Sequence, residues 1–208
     1  VYSVQDLQEL RNLGSNLVLI SHAGLYSEKP DSAGNYVLDI NIQDNLDSIL
    51  SKIEAADMFA VIAFRTGPGR SNWAISNPTY PTDNNWFYVD QTVWESQKAQ
   101  DAWKAMWKHT ADRYKKNPIV VGYELMVEPN TNATKKFDKT TMQSSTLAGT
   151  DYLFCNKFHL DKCGTLLDWN KLAKEISKEI RLVNTETPII ISENNWSTVN
   201  WIEGIVPT

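Results

Sequence analysis

The segment Asn117-Pro-Ile-Val-Val-Gly-Tyr-Glu-Leu-Met-Val-Glu-Pro-Asn130 is a largely apolar run that starts and ends with a proline next to an asparagine. A short apolar run bounded by turn residues is typical of a strand that is buried on both faces, as in a parallel sheet. Proline disfavours helical backbone in the residue before it, so a helix that precedes this segment has to end near Asn117. The segment therefore predicts a buried strand over residues 119–126, with the acidic residue Glu128 directly behind it.

A long helix is predicted in front of this strand, over residues 92–116. Its large apolar side chains recur at helical spacing and are Trp94, Trp103, Met106 and Trp107. We interpret these residues as the face that packs against the sheet.

The same alternation of helix and strand recurs along the whole chain. Further helices are predicted over residues 4–13, 42–56 and 166–183, and further strands over residues 16–21, 59–64 and 189–192. Short apolar strands that alternate with amphipathic helices indicate an α/β fold with a parallel sheet. We expect one domain over residues 1–208, with a long loop at 65–90 and an insertion at 131–164 after the third strand.

Composition excludes several classes of function. The longest apolar runs of this 208-residue chain are far shorter than the roughly 20 residues of a membrane-spanning helix. Its formal net charge of -5 would repel a phosphate backbone, so nucleic acid is not an expected partner. Eight tryptophans are an unusually high number for this length, and indole is costly to place where it neither packs nor binds.

The chain has two cysteines, Cys155 and Cys163, inside the polar insertion. We favour a local disulfide between them, with two free thiols as the alternative. His159 cannot complete a zinc site with only two cysteines, so no metal is expected.

In parallel α/β folds the functional site forms where the strands end, so the residues that follow each strand are candidates. These residues are polar after all four predicted strands and include His22, Arg65, Glu128, Asn130, Glu193 and Trp196. Carboxylates, amides and indole rings suit a carbohydrate, because they transfer protons, bind hydroxyl groups and stack on sugar rings.

The segment around Glu128 resembles the fourth strand of glycoside hydrolase family 5, the cellulase-type (β/α)8 TIM barrels, where an Asn-Glu-Pro triplet supplies the acid/base glutamate. Leu10-Arg-Asn-Leu-Gly-Ser-Asn16 and Pro188-Ile-Ile-Ile-Ser-Glu-Asn-Asn-Trp196 are also similar to segments of that family. The resemblance implies a partial barrel from the first helix through strand five. It further implies a secreted, cellulase-like endo-hydrolase of β-1,4-glucan that retains anomeric configuration and needs no cofactor, with mannan and xyloglucan left open as substrates.

The chain departs from the family pattern in three ways. No residue matches the family's nucleophile, a second glutamate after strand seven, so this segment alone is expected to be inactive. Val127 replaces the asparagine before the acid/base glutamate, and Leu19 replaces the usual arginine of the second strand. An inactive carbohydrate-binding relative of the same fold is therefore the alternative function.

The resemblance implies that Glu128 is the catalytic acid/base, against the alternative of an exposed loop acid. Glu124, inside the strand, is expected to be a buried structural acid, and Glu193 is not expected to replace the nucleophile. His22, Arg65 and Asn130 are predicted to bind substrate. For His22 and Arg65 the alternative is that they only cap loops. Three loop tryptophans are predicted to stack on sugar, namely Trp73, Trp86 and Trp196. The Gly67-Pro-Gly69 turn lacks a phosphate-binding pattern and is expected to be a rigid turn.

A partial barrel has two consequences for its surface. The first and last strands should each lack a neighbour, and apolar residues such as Ile20 and Ile190 should lie open to water. Such a half barrel should be poorly soluble alone. Edges covered by the chain's own loops would instead indicate a complete compact domain.

Overall fold

The computed structural model describes residues 3–71, 90–131 and 160–197, and its four strands form one parallel sheet. The strands are β1 Leu17–His22, β2 Phe59–Phe64, β3 Val120–Glu124 and β4 Ile189–Ile190, in the spatial order β1-β2-β3-β4. The helices are α1 Val4–Asn12, α2 Ile40–Ala55, α3 Gln97–Tyr114, α4 Trp169–Arg181 and the short α5 Asn194–Ser197. The predicted parallel α/β architecture is thus confirmed. None of the helices in the described ranges is long and apolar enough to cross a membrane.

The helices begin at polar caps that the sequence supplies. Ser3 forms a reciprocal capping box with Asp6 at the start of α1. Asp39 and Asp168 accept hydrogen bonds from backbone N–H groups of the first turns of α2 and α4. These side chains bind N–H groups that have no partner within the helix, and this fixes where each helix starts.

The prediction of one helix over residues 92–116 is wrong at the start of that helix. Thr92–Trp94 form a single 3-10 turn, and α3 begins only after Ser96. Ser96 has an extended backbone, and its side chain accepts a hydrogen bond from Ala99 N, so it caps a new helix. Trp94 therefore lies before the helix rather than on its inner face. The third and fourth strands are also shorter than predicted.

One face of the sheet packs against the helices and forms the core. Ala60, Ile62 and Phe64 of β2 contribute to this core together with Trp103 and Trp107 of α3. The Phe64 and Trp107 rings lie 4.6 Å apart between centroids. The tryptophans of α3 are fully buried, as their helical spacing predicts, and account for part of the high tryptophan content.

Three of the buried indoles also bind the loops that follow the strands. The N–H groups of Trp103, Trp107 and Trp169 donate to the carbonyl oxygens of Pro68, Leu125 and Ser192, each at 2.8 Å. These carbonyl groups follow β2, β3 and β4 in the chain. Each indole thus fastens the helical layer to the carboxyl-terminal edge of the sheet.

The opposite face of the sheet carries exposed apolar side chains. They are Leu17 and Leu19 of β1, Phe59 of β2 and Ile190 of β4. Leu17 pairs with Phe59, and side chains of paired parallel strands alternate together between the two faces, so these residues share one face. The expectation that Ile20 would be open to water is wrong, because it points to the helices and is only 7% exposed, whereas Leu19 is 53% exposed.

In the described part of the chain, β1 pairs only with β2, and β4 pairs only with β3. Both outer strands therefore present unpaired backbone groups beside the exposed apolar face. This arrangement agrees with a partial barrel.

The 208-residue chain on its own is expected to self-associate through this apolar face. Replacing both Leu19 and Phe59 with lysine should weaken association by roughly 10-fold or more, because each apolar side chain contributes about 1.5–3 kcal/mol when buried. Sedimentation velocity would measure the change. Leu182→Lys is the control, since Leu182 is more exposed but follows α4. Equal effects of both changes would contradict an association through the sheet.

Candidate active site

The polar residues that follow the strands meet at the carboxyl-terminal edge of the sheet. Arg65 directly follows β2, Glu128 lies four residues after the end of β3, and Ser192 lies two residues after β4. The carboxyl ends of parallel strands share one edge, which is where α/β folds build their sites.

Glu128 is paired with Arg65. Glu128 Oε2 lies 2.8 Å from Arg65 Nη1, and the Glu128 side chain is 40% exposed. Arg65 Nε also donates to Ser21 Oγ at 3.1 Å, so one guanidinium links the ends of β1, β2 and β3. A carboxyl group that is fixed by a charged hydrogen bond and still reaches solvent can exchange protons with a bound substrate.

The backbone of Glu128 has a φ of 51°, in the left-handed region that residues other than glycine rarely adopt. This conformation costs on the order of 1–3 kcal/mol and persists only where surrounding contacts hold it. One such contact is made by the preceding residue, since Val127 N donates to Phe64 O at 2.9 Å.

A second contact comes from the buried guanidinium of Arg70. Arg70 Nη1 donates to the carbonyl oxygens of Arg65 and Val127, both at 2.8 Å, and Nη2 donates to Glu128 O at 2.7 Å. Burial, together with the positive charge of Arg65, lowers the pKa of Arg70 to about 9 despite the opposing effect of Glu128. Arg70 therefore stays charged at neutral pH.

The turn that carries Arg70 packs tightly against α3. Gly69 has a φ of 66°, and a Cβ atom on Gly67 would lie 2.9 Å from the Trp103 ring. Gly67 and Arg70 exchange backbone hydrogen bonds across the turn. The backbone conformation and the lack of space both require glycine here, which fits a rigid turn.

Glu124 is the last residue of β3, and it is buried. Its Oε1 accepts a short hydrogen bond from Ser192 Oγ, which joins β3 to the segment after β4. A buried, hydrogen-bonded acid is what the sequence predicted for this position.

The His22 ring is bonded to groups outside the ion pair. Its Nδ1 lies 2.7 Å from Ala23 O, and its Nε2 lies 3.0 Å from Asn45 Oδ1 of α2. Both ring nitrogens have protein partners, and the ring is buried, so this geometry favours the loop-capping alternative over substrate contact.

Asn130, two residues after Glu128 in the chain, is buried. The next residue, Thr131, is tied to the end of β4, since Asn194 accepts from Thr131 N at 3.1 Å and donates to Thr131 Oγ1 at 2.9 Å. The segments after β3 and β4 are thereby held together. No local sequence pattern indicates this amide–hydroxyl pair, because its members are 63 residues apart.

Three tryptophans predicted to bind sugar and one predicted disulfide cysteine cannot be assessed. Trp73, Trp86 and Cys155 lie outside the described residues, as does the side chain of Trp196. Cys163 is disulfide-bonded, and its pairing with Cys155 stays a prediction. Arg70 and Ser21 are site residues that sequence reasoning did not single out.

A family model for cellulase, glycosyl hydrolase family 5, matches residues 3–204. The chain belongs to this family. Family 5 enzymes are glycosidases, so membership supports a glycoside hydrolase at the level of the family. No curated protein matches the sequence at a significant level.

Solved structures of family 5 endoglucanases share the fold. Endoglucanase Cel5A from the hyperthermophilic Thermotoga maritima superposes with a TM-score of 0.62 at 16% identity, covering 100% of this chain and 50% of that one. Endoglucanase Cel5A of Pseudomonas stutzeri gives a TM-score of 0.58 at 17% identity, covering 96% of this chain and 46% of that one. The chain thus spans about half the length of these TIM barrels, and its fold is a partial (β/α)8 barrel.

Proposed function

We propose that this chain supplies the acid/base half of the active site of a secreted endo-hydrolase that cleaves β-1,4-glucan with retention of anomeric configuration. The observation that carries the proposal is Glu128. Its carboxylate is solvent-accessible, is held by Arg65, and lies at the edge where TIM barrels place catalytic groups.

In the proposed mechanism, Glu128 acts twice. It first protonates the glycosidic oxygen of the leaving sugar while a nucleophilic carboxylate attacks the anomeric carbon. The same group then takes a proton from the water that hydrolyses the glycosyl-enzyme intermediate, which restores protonated Glu128.

A retaining site needs a second carboxyl group about 5 Å from the first. Glu124 is bonded to Ser192 inside the sheet, and the side chain of Glu193 is almost fully buried. Neither is free to attack a sugar, so we place the nucleophile outside the described part of the chain.

The substrate class is proposed from two lines of support. Structures of Thermotoga maritima Cel5A, which share this fold, contain cellobiose in one case and mannotriose in another. The Arg65–Glu128 ion pair at the exposed rim carries no net charge, which also suits a neutral, hydroxyl-rich chain.

The alternative, a carbohydrate-binding relative without activity, is favoured by Val127. This side chain is apolar and buried next to Glu128, so it offers no hydrogen bond to a sugar hydroxyl that would strengthen in the transition state.

The proposal is tested by incubating the full-length protein with soluble β-1,4-glucan, glucomannan and xyloglucan. We expect internal cleavage, with fastest release of reducing ends from glucan, and proton NMR at early times should show the β-anomer as first product. Release of the α-anomer would contradict retention. Binding to glucan without any product would support the inactive relative instead.

A further inference from the structure

Arg70 is a charged side chain in a place where charge is costly. It is 1% exposed, and its hydrogen-bond acceptors in the described residues are three backbone carbonyl groups. Its Nε has no partner there. Burying a guanidinium that bonds to no carboxylate costs free energy of desolvation, which some gain elsewhere has to offset. An apolar side chain would fill the same space at a lower free-energy cost.

The three carbonyl groups belong to residues at the catalytic edge. They are those of Arg65, Val127 and Glu128, so they include both members of the ion pair. The planar guanidinium thus spans the ends of β2 and β3 and sets the spacing between their backbones. A lysine ammonium could not reproduce this fork of donors.

The conformation of Glu128 gives a reason for this arrangement. Its left-handed backbone would relax without restraint, and the bond from Arg70 Nη2 fixes the carbonyl group of the strained residue itself. The buried guanidinium does not reach solvent, so it cannot contact a polysaccharide.

We propose that Arg70 is a positioning residue, which holds the backbone of Glu128 so that its carboxyl group is aimed at the glycosidic oxygen. This inference rests on the proposed function, because it assumes that Glu128 is the acid/base. The Gly67-Pro68-Gly69 turn and the Trp103 indole support this role, since they hold Arg70 in place.

The test compares Arg70→Lys with Glu128→Gln in the full-length protein, on aryl cellobiosides with good and poor leaving groups. Misaiming a general acid by about 1 Å can cost on the order of 100-fold. We expect Arg70→Lys to lower kcat/KM, which reports the first step, roughly 10–100-fold for poor leaving groups but only a few-fold for good ones.

Leu172→Ala is the control for a general loss of stability. Leu172 is fully buried in α4, within the helical layer. Its truncation should lower Tm but reduce activity equally for all leaving groups, because no catalytic group is displaced. An Arg70→Lys loss in kcat/KM that is likewise independent of the leaving group would overturn the inference.

Trp103→Phe keeps the inference testable if Arg70→Lys does not fold. This change removes the N–H that binds Pro68 O and should loosen the turn, giving about a 3-fold loss confined to poor leaving groups. A uniform loss would contradict the inference. If Glu128→Gln itself shows no leaving-group dependence, the proposed function fails and the inference with it; if only the Arg70 and Trp103 variants lack it, the inference alone fails.

Discussion

Glu128→Gln in the full-length protein is expected to lower turnover of unactivated β-1,4-glucan by roughly 100-fold or more. The amide keeps the shape of the side chain but cannot donate the proton that the leaving sugar needs. Substrates with very good leaving groups need little protonation, so their first step should slow much less. The contrast is measured as kcat/KM, which reports the first step, on glucan and on aryl cellobiosides.

The fold should survive this substitution. The lost ion pair with Arg65 is partly exposed on both sides, and such pairs contribute about 1 kcal/mol or less. We therefore expect Tm to change by only a few degrees, which separates loss of chemistry from loss of structure.

Glu54→Gln is the matched control for this experiment. Glu54 is an exposed acid near the end of α2, at the opposite edge of the sheet from Glu128. It should retain full activity. Turnover on glucan that is unchanged in Glu128→Gln would remove Glu128 from the acid/base role.

Much of the fold could be predicted from the sequence because periodicity reports burial. The strand at Phe59–Phe64 was predicted with its observed bounds, since a run of apolar residues that follows a helix at once leaves little choice. The start of α3 was missed because Trp94 fits the helical period, whereas the decisive feature is the cap at Ser96, a local hydrogen bond that periodicity does not report.

The faces of β1 were harder to assign. Every residue from Leu17 to Ile20 is apolar, so the sequence offers no alternation to show which side chains meet the helices. Which side chains of β1 are buried depends on the face of the sheet against which α2 packs. Ile20 lies on that face and is buried, whereas Leu19 lies on the other face and is exposed.

The candidate site was predictable where it follows strand ends and unpredictable where it depends on contacts across the chain. Glu128 and Arg65 were both singled out, but their ion pair joins residues 63 positions apart. Arg70 gave no signal, because an arginine after a glycine-rich turn is normally exposed, and only the tertiary structure shows its burial.

Trp107→Ala is expected to reduce the free energy of unfolding by about 3–5 kcal/mol. The indole is fully buried, and its ring centroid lies 4.6 Å from that of Phe64 and 5.6 Å from that of Tyr123. Alanine leaves a cavity between β2, β3 and α3, and the rigid sheet can fill little of it. Urea unfolding followed by circular dichroism measures the loss.

Trp107→Phe separates packing from hydrogen bonding in the same position. Phenylalanine keeps most of the ring contacts but removes the N–H that donates to Leu125 O, so the expected loss is smaller, about 1–2 kcal/mol. Leu125 precedes Glu128 by three residues, and its N–H also binds Ile190 O of β4. Loosening this carbonyl group should therefore reach the catalytic edge, and Trp107→Phe should lower activity on glucan more than its stability loss alone explains. A Trp107→Ala loss below about 1 kcal/mol would show that the α3 tryptophan does not anchor the strand that carries Glu128.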